Sequence, residues 1–142
     1  MKKGFTLVEI MIVVALIAIL VGIAIPNVLG VKTSGNISQA KSELAALQAA
    51  LESYYMSTGA YPASLSDLTS AIPNIIGTTL PTDPFVSGAD YGYDLSSSGV
   101  YFVVWSAGTG GSASASIADS GSVSETDSSC IYISNGDRDT TP

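Results

Sequence analysis

The chain has no histidine, and Cys130 is the single cysteine among its 142 residues. Zinc sites built from cysteine and histidine, catalytic pairs of serine or cysteine with histidine, and an intrachain disulfide are therefore excluded. Serine and aspartate residues are scattered along the chain together with Lys41, but no spacing among them nominates a nucleophile with an activating base. The composition predicts a protein that is not an enzyme.

Positive charge is also scarce. Five Lys and Arg residues stand against twelve Asp and Glu residues, which gives a formal net charge of −7. Such a chain has no electrostatic attraction for phosphates, so no nucleic-acid partner is predicted. With 46% hydrophobic and only 12% charged residues, it is too apolar to be disordered, and its length allows one domain at most.

What the chain has in abundance is one apolar run. Between Ile10 and Ile25 every residue except Gly22 is strongly apolar or alanine, and the run reaches back to Phe5 if two polar residues are included. A helix over residues 5–26 would just cross a hydrocarbon core of about 30 Å. A buried core helix is the alternative, but the remaining chain is too small and too rich in Ser and Gly to surround it. The run therefore predicts a membrane span.

Lys2 and Lys3 precede the apolar run, as they would in a secretory signal peptide. However, the run is longer than the roughly 7–15 apolar residues of a signal peptide, and no A-x-A-like cleavage site follows it. We therefore expect the span to stay attached to the chain. The two lysines place the N-terminus in the cytoplasm and everything beyond Asn27 outside it.

Glu9 is a carboxylate inside this apolar stretch. An ionised side chain costs about 2.5–3.5 kcal/mol near the centre of a membrane helix, less near the interface, and usually has a partner. Lys2 and Lys3 lie one or two helical turns away and could extend toward it. The other interpretation is a partner supplied by another molecule.

A short motif opens the run, and it reads Lys3-Gly4-Phe5-Thr6-Leu7-Val8-Glu9, with Pro26 at the end of the run. This pattern resembles the N-terminus of the type IV pilin and type II secretion pseudopilin superfamily. The resemblance implies that a prepilin peptidase cleaves between Gly4 and Phe5 and N-methylates Phe5, so that residues 1–4 are a leader. It also implies that Glu9 pairs with the Phe5 amine of a neighbouring copy in a helical filament, which would neutralise both charges and fix the axial register.

The end of the apolar run is poor in helix-forming residues. Gly22, Pro26 and Gly30 follow one another at four-residue spacing, and a proline inside a helix removes one backbone hydrogen bond at a cost of about 3 kcal/mol. We predict a kink here. The resemblance further implies that this segment loses helicity and extends when the filament assembles.

Beyond the span, residues 27–58 are predicted to form an amphipathic half of the same helix. An apolar stripe recurs at spacings of three and four, and its members are Ile37, Ala40, Leu44, Leu47, Leu51 and Tyr54. A coiled coil is one interpretation, but the stripe lasts fewer than three heptads, so packing on the protein's own sheet is favoured. Gly59 is typical of a residue that ends a helix.

Residues 59–142 are predicted to form a small exported domain. A short helix is predicted over residues 63–68, a β-hairpin over residues 91–95 and 100–105, and a further strand over residues 130–134. Three or four antiparallel strands would cover the helix stripe in an α+β fold, which is also the pilin ladle shape that the resemblance implies. The low-complexity residues 112–129 are predicted to be a mobile surface loop.

The loops of this domain refine the resemblance. Residues 59–62, 80–85 and 91–93 resemble the major pseudopilins, which carry a calcium-binding segment rich in Asp and Gly near their C-terminus. Residues 106–111 of this chain contain no carboxylate, so no cofactor is predicted and calcium is not supported by the usual loop. Asn135, Asp137 and Asp139 alternate as ligands do in some calcium loops, but such a triplet at a charged terminus is more often solvated.

Three functions therefore remain. The favoured one is a structural subunit that polymerises into an extracellular type IV pilus-like filament, with the prepilin peptidase, an inner-membrane assembly platform and its ATPase as partners and the inner membrane as the site of the precursor. The alternative is the major pseudopilin of a type II secretion system, which forms a periplasmic pseudopilus that pushes out secreted proteins. A membrane-tethered extracytoplasmic binding domain is the distant alternative.

Overall fold

The computed structural model describes residues 4–71 and 75–136, with residues 23–29 described by their backbone alone. The elements in chain order are α1 (Leu7–Thr58), α2 (Asp67–Ser70), β1 (Gly92–Leu95), β2 (Phe102–Ser106), β3 (Ala115–Ile117), β4 (Val123–Glu125) and β5 (Ile131–Ser134). The predicted α+β class is confirmed. The chain divides into two units, Met1–Gly35 and Asn36–Pro142.

The first unit is dominated by the N-terminal part of α1. Thr6 caps this helix, because its Oγ1 accepts a hydrogen bond of 3.2 Å from the backbone N–H of Glu9. A threonine followed three residues later by glutamate is the sequence pattern of a helix start. The side chains of residues 7–22 are all exposed. Across the part of the chain that the structure describes, no helix has both the length and the apolar character needed to cross a membrane.

The second unit contains the C-terminal part of α1, and the predicted stripe is its buried face. Four stripe residues have at most 2% of their surface exposed, and these are Ala40, Leu44, Leu47 and Leu51. The helix ends where predicted, since Gly59 has a φ of +79° and donates its N–H to the Tyr55 carbonyl at 2.7 Å. Only glycine adopts such a backbone conformation without strain.

The stripe packs on a three-stranded antiparallel sheet with the strand order β1-β2-β5. Strand β2 lies in the centre, with Leu95 opposite Phe102 on one side and Ile133 opposite Val104 on the other. Phe102 and Val104 are fully buried in the same core as the helix stripe. The predicted strands are confirmed, with bounds that differ by one or two residues.

Strands β3 and β4 form a separate antiparallel hairpin, in which Ala115 pairs with Glu125 and Ile117 with Val123. The prediction of a mobile surface loop over residues 112–129 is therefore wrong for this part of it. Ala113, Ala115 and Ile117 are buried in a second core with Val103 of β2. These few apolar residues are enough to form a buried face, because they alternate with serines and so all lie on one side of the strand.

The short helix α2 starts later than predicted, at Asp67 rather than residue 63. Ser66 occupies the N-cap position of α2 without a side-chain hydrogen bond. Instead the carboxylate of Asp67 accepts the N–H of Ser64 at 3.0 Å. This loop buries Leu65 and Leu68 against the core of the second unit.

Candidate assembly surface

The predicted cleavage site lies outside regular structure. Gly4 and Phe5 precede the first turn of α1, and both are exposed. A Cβ placed on Gly4 would meet no atom within 4 Å, and 79% of the Phe5 surface is exposed. A peptide bond in such a position is open to a peptidase, because no hydrogen-bonded element has to unfold first.

Glu9 lies in the first turn of α1 with its side chain exposed. The position is favourable for a carboxylate, because the N-terminus of a helix carries a partial positive charge. Phe5 and Glu9 are thus located at the same end of the helix, on either side of the cap residue Thr6. The ion pair between copies that the resemblance implies remains a prediction.

The start of α1 displays an apolar surface on all sides. The large side chains from Leu7 to Val21 are between 47% and 76% exposed, whereas those of the stripe residues farther along the helix are buried. A helix that is apolar all round is stable only when something else covers it. Residues 5–22 form this apolar helix surface.

The predicted kink residues lie within a continuous helix. Gly22 and Gly30 are exposed helical residues, and position 26 also falls inside α1. The side chain of Pro26 lies outside the described residues. Ser34 donates its hydroxyl to the Gly30 carbonyl at 3.1 Å, a contact of the kind that often bends helices. Kinking and loss of helicity in this segment remain predictions.

The acidic side chains of the second half of α1 are held by tyrosines. Tyr91 donates its hydroxyl to Glu43 at 2.6 Å, and Tyr61 donates to Glu52 at 3.2 Å. Burial, followed by the hydrogen bond to Glu43, raises the pKa of Tyr91 above its ordinary value. Sequence reasoning missed both pairs, because partners that lie 48 and 9 residues apart leave no local pattern.

An open pocket of about 380 Å³ in the second unit is lined by apolar and hydroxyl side chains together with Lys41, Glu125 and Cys130. Cys130 is 2% exposed, and burial raises the pKa of its thiol to about 11. A thiol with that pKa stays protonated at neutral pH and is a poor nucleophile. The pocket therefore contains no activated cysteine.

Of the three candidate calcium ligands, Asn135 lies within the residues that the structure describes. Asn135 uses its Oδ1 to accept the N–H of Phe102 at 2.7 Å, and its Nδ2 donates to the Val100 carbonyl at 2.9 Å. Asp137 and Asp139 lie outside the described residues. Within residues 4–71 and 75–136, no three His, Cys, Asp or Glu side chains are grouped as a metal site would require. Asn135 serves as a link between strands.

These features define a class of protein. A single long N-terminal helix with an exposed apolar start, whose later part packs on a small antiparallel sheet, is the architecture of a pilin-like structural subunit.

Comparison with known families agrees and is more specific. Residues 1–25 match the family model for the prokaryotic N-terminal methylation motif, and residues 27–123 match that for protein G of the type II secretion system. The chain belongs to the type II secretion system protein G family, whose members are structural pseudopilin subunits and not enzymes. The predicted superfamily is therefore confirmed, and the absence of enzymatic function follows from the family.

Several relatives are named type II secretion system core protein G. The relative from Escherichia coli (strain K12) is 31% identical over 118 residues, which cover 69% of this chain and 81% of the relative. The relative from Klebsiella pneumoniae is 32% identical over 103 residues, 63% of this chain and 72% of the relative. The Vibrio cholerae relative is 35% identical over 83 residues, 58% of this chain and 53% of the relative. No solved structure matches the chain.

These comparisons favour the pseudopilin alternative over the surface pilus that the sequence reasoning ranked first. The difference is understandable, because both classes share the N-terminal motif and the apolar helix. The family model that favours the pseudopilin matches residues 27–123, beyond the shared N-terminal motif.

Proposed function

We propose that the chain is the major pseudopilin of a type II secretion system, which polymerises into a periplasmic pseudopilus that pushes secreted proteins out of the cell. The observation that carries this proposal is the match of residues 27–123 to the protein G family. The exposed apolar helix surface supports it, because a subunit of a helical assembly needs a surface that neighbouring copies can cover.

The first step is processing of the precursor. A prepilin peptidase cleaves the exposed bond between Gly4 and Phe5 and methylates the new Phe5 amine. Cleavage removes Lys2 and Lys3, the cations nearest to Glu9 in sequence, and replaces them with one α-ammonium group at the helix start. In the assembled state, the α-ammonium group of a neighbouring copy is the partner we propose for the Glu9 carboxylate.

The second step is assembly. Glu9 of one copy pairs with the Phe5 amine of its neighbour, while the apolar helix surfaces pack side by side. These surfaces leave lipid and not water, so their association is driven by van der Waals packing between helices and not by the hydrophobic effect. The ion pair supplies register, because an unpaired charge inside such a bundle costs several kcal/mol.

Before assembly, residues 5–26 anchor the precursor in the inner membrane, with the second unit outside the cytoplasm. The apolar run in the sequence supports this anchor, and it extends to Ile25. The structure describes the side chains of this run only as far as Gly22. An inner-membrane assembly platform and its ATPase extract the subunit from there. Gly22, Pro26 and Gly30 allow the helix to yield during this movement.

The experiment that tests the proposal is deletion of the gene in its native host, followed by complementation and N-terminal mass analysis. We expect loss of type II secretion on deletion, rescue by the wild-type chain, and a methylated Phe5 N-terminus recovered only from the cell envelope.

Two outcomes would contradict the proposal. Recovery of the processed chain from long sheared surface fibres, with secretion unaffected by the deletion, would establish the surface pilus instead. An uncleaved Met1 N-terminus in the rescued strain would remove the basis for the Glu9 pair. Gly4→Leu changes the residue before the cleaved bond and tests processing. Gly35→Leu is its control, because both glycines are exposed and a Cβ on either one would meet no atom within 4 Å.

A further inference from the structure

The segment that follows β2, residues 106–113, forms a tight turn held by its own backbone. The N–H of Gly111 donates to the Gly108 carbonyl at 2.9 Å, and the N–H of Ala113 donates to the Ala107 carbonyl at 3.2 Å. Gly108 has a φ of +63°, and a Cβ on it would overlap the Ser129 carbonyl. The turn therefore has a defined conformation that excludes larger residues at this position.

A single carboxylate from a distant loop lies at the base of this turn. Asp83 is 4% exposed, and its two oxygens accept hydrogen bonds from the hydroxyl of Ser106 at 2.8 Å and the N–H of Ala107 at 2.7 Å. Its Oδ1 also accepts the N–H of Phe85 at 2.9 Å. The Ser106 hydroxyl in turn accepts the N–H of Gly108 at 3.3 Å.

These contacts decide whether the turn fits the calcium ion that the resemblance implies. Calcium takes six to eight oxygen ligands, usually including carboxylates. Here residues 106–111 supply no carboxylate, and the carbonyl oxygens of Ala107 and Gly108 already accept backbone N–H groups. The start of the turn directs N–H and O–H donors toward one point, which is an arrangement that holds an anion. The turn does not fit a calcium ion.

We infer that the carboxylate of Asp83 takes over the stabilising role of the metal ion, so that the second unit of this chain folds and stays folded without calcium. Asp83 is a positioning residue that connects the loop of residues 83–89 to the end of β2. The connection also orders the start of the segment that leads into the β3–β4 hairpin. Hydrogen bonds to an ionised group in a buried site are stronger than neutral ones, which suits them to this role.

The test uses the full chain in detergent and follows thermal unfolding in about 10 mM CaCl2 and in about 1 mM EGTA. This calcium concentration is about ten times the dissociation constant of the weakest calcium sites in proteins, roughly 10⁻³ M. We expect the same midpoint in both buffers. A midpoint raised by CaCl2 and lowered by EGTA would overturn the inference.

Asp83→Asn provides the second arm. It keeps the shape of the side chain but replaces one of the two oxygens that accept these three donors with an NH2 group, so we expect the midpoint to fall by roughly 5–15 °C in both buffers. Amide hydrogen exchange should accelerate at Phe85 and Ala107, whose N–H groups face the carboxylate. An unchanged midpoint, or unchanged exchange at these two amides, would overturn the inference.

Two further variants keep the result interpretable. Ser106→Ala removes only the hydroxyl, so it should lower the midpoint less than Asp83→Asn and identically in both buffers; a wild-type midpoint would contradict the inference. Asp127→Asn is the matched control, because Asp127 is exposed and its carboxylate accepts the N–H of Ser129. It should leave exchange at Ala107 unchanged, and acceleration there would count against a specific role of Asp83.

Discussion

Both halves of α1 are helical, but the apolar side chains of the first half are exposed and those of the second half are buried. From Leu7 to Val21 the large apolar side chains are all exposed, whereas Leu44, Leu47 and Leu51 are buried against the sheet of the same chain. One half therefore completes its core within the molecule, whereas the described residues of the chain leave the other half uncovered. The number of apolar residues does not distinguish an exposed apolar helix from one that is buried on a single face. The polar residues on the other faces of the second half make this distinction.

The largest effect is expected when the proposed pair between Glu9 and the neighbour's Phe5 amine is broken. In the proposed assembly, Glu9→Val would leave the neighbour's Phe5 amine unpaired in a buried position, at a cost of about 3–5 kcal/mol, so assembly should fall by roughly two orders of magnitude or more. Membrane insertion and the stability of the second unit should not change. Cross-linking of assembled subunits and a secretion assay provide the measurement.

Glu9→Asp is the control for that variant, because it keeps the charge, and it should retain part of the assembly. Glu9→Ala should behave like Glu9→Val. Normal yield of assembled subunits from Glu9→Val would refute the pairing role.

The next largest effect contrasts the two halves directly. Leu47→Ala creates a cavity in a fully buried site and should lower the free energy of unfolding of the second unit by about 2–5 kcal/mol. Ile12→Ala, at a side chain that is 56% exposed, should leave that free energy unchanged. Urea unfolding of the detergent-solubilised chain, followed by Trp105 fluorescence, measures both. Equal losses would mean that the two halves are not energetically separate.

A smaller effect sharpens the description of the second unit. Ile117 of β3 is 7% exposed in the core beneath the hairpin, so Ile117→Ala should lower the free energy of unfolding by about 2 kcal/mol. Ser116, its neighbour on the opposite and exposed face of the strand, is the control. Ser116→Ala should change the same quantity by less than about 0.5 kcal/mol. If both variants have the stability of the wild type, the hairpin does not contribute to the core.

The smallest effect concerns alkaline pH. Burial raises the pKa values of Tyr91 and Tyr93 above the ordinary value of 10.0. Above pH 10 the unfolded chain loses these two protons while the folded chain keeps them, so stability is complete below pH 10 and declines above it. At pH 11 the free energy of unfolding should be lower by about 1 kcal/mol for each of the two tyrosines.

Denaturant unfolding at pH 8 and pH 11 checks this prediction. Tyr91→Phe and Tyr93→Phe should each reduce the decline, because phenylalanine has no proton to lose. A free energy of unfolding that does not fall between the two pH values would contradict the assignment of buried, protonated tyrosines.

Much of the fold was predictable because its signals are local. The stripe on α1, the stop at Gly59 and the strands around Phe102 and Ile133 each follow from periodicity or from a turn residue within a few positions. The β3–β4 hairpin was missed because its apolar residues are small and few. Ala113 and Ala115 become core residues because they pack on the face of the sheet that carries Val103 and Trp105.

The assembly surface divides in the same way. The motif from Gly4 to Glu9 and the apolar run could be identified from the sequence, because cleavage, capping and apolar character are properties of consecutive residues. The links from Glu43 to Tyr91 and from Asp83 to Ser106 could not, since they join residues 48 and 23 positions apart. Hydrogen-bonding side chains carry no signal of their partner until the chain has folded.

The sequence by itself determined the class of this protein: the N-terminal motif, the apolar helix and the amphipathic stripe define a subunit made to assemble. Tertiary structure alone decided how the second unit closes on itself. There the hairpin covers the outer face of the sheet, and a buried carboxylate holds the turn after β2. The physical reason is that helix formation and the pattern of apolar residues are set by residues close together in the sequence. The pairing of buried polar groups depends on which distant segments meet in the folded chain.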